Sequence, residues 1–571
     1  MTTITAPKSL KYLILTASLC CMLAIPLQVY ANDIQIQNLK LVGNIPDEGL
    51  GILQFDLSWE NSWRTNNLND VGITNWDAAW VFIKFRETSD QASAWSHLYL
   101  SNNAADYSTG TWQGAGPGPA LIEPALADPR LNSAGNLLTP FSPAVNGNPI
   151  GQNPVVGAFV YRQNTGSGRF DVKDMRFAFD PVENGLDSSK LYDFQVFAIE
   201  MVFVPEGSFF AGSGGSETGR FKDGSTNNPF LIDADWNAAN AEGGRRIANV
   251  AGQLWGSSTR DDSIGPTSAT TPLADSWPTG FNAFYMMKYA ITQQQYVDFL
   301  NTLSFTQQNE RIDGSPASAA GTFTRGTIRN RIRIDTPGIN PGKPAVYATE
   351  KPFVANNWII WQDGAAYMDW AGLRPFTELE YEKAARGFAD PVANEFAWGT
   401  TNITFATGIS DAGLATETAS NAGANAVGLN RGTGGPLRVG AFATETSTRE
   451  QAGASFWGIM ELSGNLWERP VTIGTATGRA FTGLHGNGLL SAAGNATIAN
   501  WPGLVSGQVT GADGSGFRGA GWQLTTLNWL RISDRSFANL IVSGRTDENR
   551  RYGFRGVRSS PATGTGTESQ N

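Results

Sequence analysis

Five arginines, Arg518, Arg531, Arg535, Arg551 and Arg555, crowd the C-terminal part of a 571-residue chain. A guanidinium carries a permanent charge and a planar fork of donors, so such a cluster suits an anionic ligand or a peptide carboxylate. Pairing with nearby Asp534, Asp547 and Glu548 is the competing use. Trp522 adds a flat apolar surface beside them. Other chemistries are sparse. Glu378 and Glu382 stand one helical turn apart and read as a solvated carboxylate pair. The two histidines, His97 and His485, are too distant in sequence to suggest a relay or an iron site. No Gly-x-Ser-x-Gly elbow and no phosphate-cradling loop occurs. The only thiols are Cys20 and Cys21.

Those cysteines fall inside an export segment. Lys8 and Lys11 precede an apolar run from Tyr12 to about Leu27, and Val29-Tyr30-Ala31 supplies small residues before a cut. The expectation is a signal peptide over 1–31, with a secreted or cell-envelope-associated product starting near Asn32. An uncleaved anchor is the alternative, but the run falls short of the ~20 residues a span needs. After cleavage no thiol remains, so disulfides and thiolate metal sites are not expected.

The formal charge of −10 becomes −12 once Lys8 and Lys11 leave with the leader. An acidic surface repels phosphate backbones, which argues against a nucleic-acid partner. It is compatible with calcium, which takes carboxylate and carbonyl oxygens. With 65 glycines and 18 tryptophans, the composition suits a loop-rich fold built around large aromatics.

The elements that must position these residues come in two styles. From Ile34 to about Phe197 the pattern alternates: Leu53 to Trp59, Trp80 to Phe85, Val155 to Tyr161 and Met175 to Phe179 read as strands. Short strands between turn signals predict an antiparallel β-sandwich over 32–197. Trp59, Trp63, Trp76 and Trp80 fill its core or line a sugar-binding face. Further on, Thr292 with Gln295 and Thr377 with Glu380 predict capping boxes at two helix starts. Trp361 to Trp370 predicts a third helix, with Trp361, Ala365, Met368 and Ala371 on one side.

Several blocks carry a family resemblance: Ile199 to Phe209, Phe284 to Leu300, Arg374 to Gly387, Phe396-Ala397-Trp398-Gly399, Gly464-Asn465-Leu466-Trp467-Glu468, Arg518-Gly519-Ala520-Gly521-Trp522 and Gly553-Phe554-Arg555. In this order they resemble the formylglycine-generating enzymes, or sulfatase-modifying factors. The resemblance implies an α+β fold, a variant C-type-lectin-like domain over 198–559. Residues 213–275 and 470–515 are expected as insertions, and 560–571 as a disordered tail. It also implies copper-bound cysteines just after the Arg-Gly block. The matching stretch Gln523 to Ile532 has none, and Gly521 stands where a serine is expected.

A structural calcium is implied at Glu461, Glu468 and the carbonyls of Gly464 and Leu466, with a second site at Asn421 and, loosely, Asn430. Ligand contact is implied near Arg518, Trp522, Arg531, Arg535 and Arg555, where relatives bind substrates. The expected function is a secreted, non-catalytic binding or envelope/matrix module for an extracellular protein, peptide or glycan, with self-association possible, no membrane span in the mature chain and no copper. The alternatives are an enzyme of altered, non-cysteine chemistry and a lectin-fold variable ligand-binding protein.

Overall fold

A computed structural model describes residues 33–561, except 44–48, 70–71, 128–143, 146–147, 150–152, 239–244, 257–272, 326–327 and 524. The expected leader and most of the expected tail lie outside the described residues, as does part of the first expected insertion.

Eleven strands form one sheet, every pair antiparallel. Its path runs Val557–Ser559, Phe284–Met287, Tyr192–Val204, Ile73–Glu87, Gly51–Leu68, Gly166–Phe179 and Thr111–Trp112. Gln35–Leu41 pairs with Gly51–Leu68. Ser96–Leu98 and Val155–Arg162 pair with Ile73–Glu87, and Ala120–Leu126 pairs with Val155–Arg162. The alternating segments of the sequence fall inside these strands. Their apolar faces meet in one core, in which Leu53, Phe55, Leu57, Trp59 and Trp80 are fully buried.

The strand Tyr192–Val204 crosses the expected boundary at 197/198. It runs unbroken through that point, pairing over Tyr192 to Val202 with Ile73–Glu87 and over Met201 to Val204 with Phe284–Met287. The N-terminal region is therefore not a separate sheet, because the same ladder continues into the later part. Trp80 donates its indole N–H to the carbonyl of Ala371 at 2.7 Å, which ties the two parts together inside the core.

The four N-terminal tryptophans are packed rather than displayed. Trp59 stacks on Phe170 at 3.8 Å, and Trp76 stacks on Phe203 at 3.8 Å. Trp63 donates to Asn75 at 2.7 Å beneath the ammonium of Lys288. The two histidines are buried as well. His97 Nε2 lies 2.7 Å from the carbonyl of Val156, and His485 Nε2 accepts from the Ser559 amide.

The three helices read from the sequence form in the later part, two of them where their caps predict. Gln293–Leu300 and Glu378–Arg386 each begin with a complete capping box, from Thr292/Gln295 and Thr377/Glu380. Trp361–Trp370 is buried all round rather than on one side. Trp361 donates to the carbonyl of Pro502, so the 470–515 segment covers the face that would otherwise meet water. Every residue of Glu378–Arg386 is buried too. Glu378 and Glu382 are thus core charges and not a solvated face, and what neutralises them defines the next region.

Candidate binding pocket

Three sequence blocks are stitched into one unit by backbone hydrogen bonds. Glu468 and Arg518 exchange both amide-to-carbonyl bonds at 3.0 Å. The Trp467 amide donates to Arg551, and Gly553 donates back to Trp467. Gly464 donates to Gly519, and Trp522 donates to Asn465. Gly519 is required there: its φ is +73°, and a Cβ would lie 2.3 Å from the carbonyl oxygen of Leu462. The backbone of the unit is consumed in these bonds, so what it offers outward is side chains.

Behind the unit lies a dry ion network. Arg518 donates to Glu378 at 2.8 Å and to Glu382 at 2.7 Å, and its guanidinium lies over Tyr381. Arg535 grips both oxygens of Glu378 at 2.7 and 2.9 Å. Arg386 joins Glu382 to Glu395. All six charges are buried and balance three against three. The two guanidinium partners hold the Glu378 carboxyl below its usual range, against the desolvation that would raise it.

Arg518 and Arg535, read as ligand-gripping residues, are therefore structural. Arg555 likewise donates to Glu468 at 2.7 Å and to the carbonyl of Met460 at 2.9 Å. Trp522 is buried and donates to the carbonyl of Arg550. Of the expected set only Arg531 keeps partial exposure, and its Nε has no hydrogen-bond partner among the described residues. The acids that pair are not the neighbouring Asp534 and Asp547 but Glu378, Glu382 and Glu468. Arg551 alone takes the expected local partner, Glu548.

In front of the unit is a pocket of about 200 Å³. Its walls are Trp467, Phe517, Trp529, Phe537 and Tyr552, with Gln523, Thr525 and Arg551 supplying polar atoms. The rings meet mostly edge to face: Trp467 with Phe537 at 5.2 Å, Trp529 with Phe537 at 4.8 Å, Trp467 with Phe517 at 5.9 Å. The indole N–H of Trp467 is buried and donates to nothing among the described residues. Next along the chain, Arg469 is fully buried with its guanidinium 4.2 Å from the Phe517 ring centre. Its Nε and Nη1 have no partner among the described residues, and burial pushes its pKa down to about 9. Aromatic faces are its main neutralising surroundings.

Sequence reading found part of this wall. Trp467 sits in a recognised block, and Thr525 and Trp529 lie in the stretch singled out for its missing cysteines. Phe517, Phe537 and Tyr552 went unread, since no local pattern marks them.

The implied calcium residues are only partly gathered. Glu461 and Glu468 are both buried, and each leaves Oε2 without a partner among the described residues. Glu461 Oε1 accepts from the Gly440 amide at 2.6 Å, and burial raises its carboxyl to about 7. Glu468 is also raised by burial, against the pull of Arg555. Two stranded carboxylate oxygens fit a hard cation in donor type. Asn421 does something else. Its Oδ1 accepts from Thr407 and its Nδ2 donates to Phe405, clamping a loop. Asn430 likewise gives its amide to the carbonyl of Trp522. Gln523 to Ile532 holds no sulfur, the donor that soft Cu(I) favours.

Comparison with known proteins places these blocks. The sequence model of a family described as "Sulfatase-modifying factor enzyme 1-like domain" matches residues 195–559. A formylglycine-generating enzyme of Thermomonospora curvata is 27% identical over 125 residues, which is 20% of this chain and 41% of that enzyme. The match thus spans about two fifths of the length of that curated relative.

Proposed function

Since the chain belongs to the sulfatase-modifying factor enzyme 1-like family over residues 195–559, we propose that it keeps that family's scaffold as a ligand-binding module of the cell exterior and does not oxidise cysteine. One observation carries the reading: the stretch after the Arg-Gly block, where the enzymes hold their copper thiolates, here walls an aromatic pocket with Gln523, Thr525 and Trp529. Without a thiolate the pocket has no ligand for copper and no group to form a mixed disulfide with a substrate. What it has is flat apolar area and an unused indole donor. Such a site takes the apolar or aromatic side chain of an exported peptide, or the face of a sugar ring, and orients it through one hydrogen bond.

The reading includes the variant C-type-lectin-like fold and a calcium ion at Glu461 and Glu468. The support for calcium is the pair of stranded Oε2 atoms. An ion there would compensate two carboxylates that burial otherwise disfavours.

The test has two arms. The purified chain is offered a cysteine-containing peptide with Cu(I) and oxygen, and aldehyde formation is measured alongside metal content. Peptide and glycan arrays are then probed with the chain and with Trp529→Ala. The expected result is no aldehyde, no copper, and a ligand lost by the variant. Aldehyde product, or one tightly bound copper or iron per chain, would sink the proposal and favour an enzyme of altered chemistry.

A further inference from the structure

A second, larger cavity of about 460 Å³ opens where the first strand meets the later part of the chain. It shares no lining residue with the aromatic pocket. Its size is that of a small-molecule site, roughly 300–1,000 Å³.

The sheet builds its floor. The register pairs Phe197 with Phe82 and Gln195 with Lys84, which puts Gln195 and Phe197 on one face. Phe82, Phe197 and Trp370 meet there with ring centres 4.9 to 5.3 Å apart. Two buried polar atoms of the lining are left over. Gln195, 8% exposed, has an Oε1 that accepts nothing, and Trp370, 3% exposed, has an Nε1 that donates to nothing among the described residues. Leaving a buried donor and a buried acceptor unmade is costly, and a ligand carrying both would relieve it.

The rim decides the ligand's charge. Asp33, Glu200 and Asp298 line the cavity, and among the described residues Arg438 is the only Lys or Arg that does. Arg438 is already spent on the carbonyls of Glu417 and Val439. Lys288 faces Glu200 from outside the cavity at 3.8 Å, and Lys84, on the same face as its partner Gln195 and 5.4 Å from the Trp370 ring, is held by the carbonyl of Gly488. Asp298, partly buried on the helix Gln293–Leu300, accepts from Gln294 at 2.8 Å and has no cation in an ion pair with it among the described residues. Burial raises its carboxyl to about 6, which leaves it ionised at pH 7.5.

We infer that this seam cavity binds an aryl-alkyl amine, its ring against Phe197 and Trp370 and its ammonium group toward Asp298. The experiment is titration calorimetry of the full chain at pH 7.5 with tryptamine, with indole and with indole-3-acetate. Saturable one-to-one tryptamine binding is expected, about tenfold tighter than indole, with indole-3-acetate weaker than either. Asp298→Asn brings tryptamine to the level of indole and leaves indole unchanged. Gln195→Leu weakens all three without lowering the thermal midpoint, because it removes a stranded polar atom. Absence of saturable tryptamine binding overturns the inference, as does a tryptamine preference that survives Asp298→Asn.

Discussion

The first two hundred residues and the rest of the chain bury their cores by different means. In the N-terminal part, backbone ladders and stacked rings do the work: Ile73–Glu87 pairs with four other strands, and Trp59 and Trp76 sit flat on phenylalanines. In the later part the contributions to the main sheet are Phe284–Met287, Val557–Ser559 and the shared Tyr192–Val204. Most of the rest is loop, fastened by buried guanidinium–carboxylate pairs such as Arg374 with Glu380, Arg518 with Glu378 and Arg555 with Glu468. A ladder spreads its stabilisation over many equal bonds. An ion network concentrates it, since removing one member strands the others in a dry interior.

That contrast can be tested by how unevenly the two parts tolerate change. The largest effect is expected at Glu378→Ala, which leaves Arg518 and Arg535 each short of a carboxylate. Denaturant unfolding should show a loss of about 3–5 kcal/mol. A loss under about 1 kcal/mol would mean that the network is solvated and that the two parts do not differ as described.

Next comes pH. Burial raises the Glu461 carboxyl to about 7 in the fold from its ordinary value of 4.5. Stability it contributes is fully present below the unfolded pKa and is lost as pH rises through the folded one. The thermal midpoint should therefore fall between about pH 4.5 and 7, on the order of 3 kcal/mol in all. Glu461→Gln should flatten the slope, and calcium at pH 7 should restore what the ionised carboxylate loses. A midpoint insensitive to calcium at pH 7 removes the ion from the proposal.

Arg469 is the exception inside the later part, a buried cation facing rings instead of a carboxylate. Arg469→Met keeps the volume and discards the charge, so it should stabilise by about 1–2 kcal/mol. If it instead destabilises as strongly as Glu378→Ala, an anion occupies that site in solution. The smallest effect belongs to the ladder: Phe55→Leu, in a core of many equivalent contacts, should cost about 1 kcal/mol.

Legibility in the sequence follows the same divide. The strands of the first part were readable because alternation is a local signal, and so were the capping boxes at Thr292 and Thr377, which need only three residues of reach. Glu378 and Glu382 were misread because only one of the cations that neutralise them, Arg386 on Glu382, is near in sequence. Their partners Arg518 and Arg535 stand 136 to 157 residues away. The pocket was half-visible for a related reason. Trp467 belongs to a recognisable block, whereas Phe537 and Tyr552 reach it only through folding. At 197/198 the sequence pattern changes while the backbone ladder runs on, so the shared strand could not be read from the pattern.

The shared strand also sets a timetable. A ribosome delivers Ile73–Glu87 early, yet one edge of that strand waits for Tyr192–Val204. The far edge of Tyr192–Val204 waits for Phe284–Met287, which in turn waits for Val557–Ser559. For most of its synthesis the nascent chain thus carries an open, apolar sheet margin, the kind of surface that recruits other chains. Three residues near the C-terminal end act as a latch on a sheet begun five hundred residues earlier. A ribosome that stopped short of them would release an adhesive intermediate rather than a shorter protein.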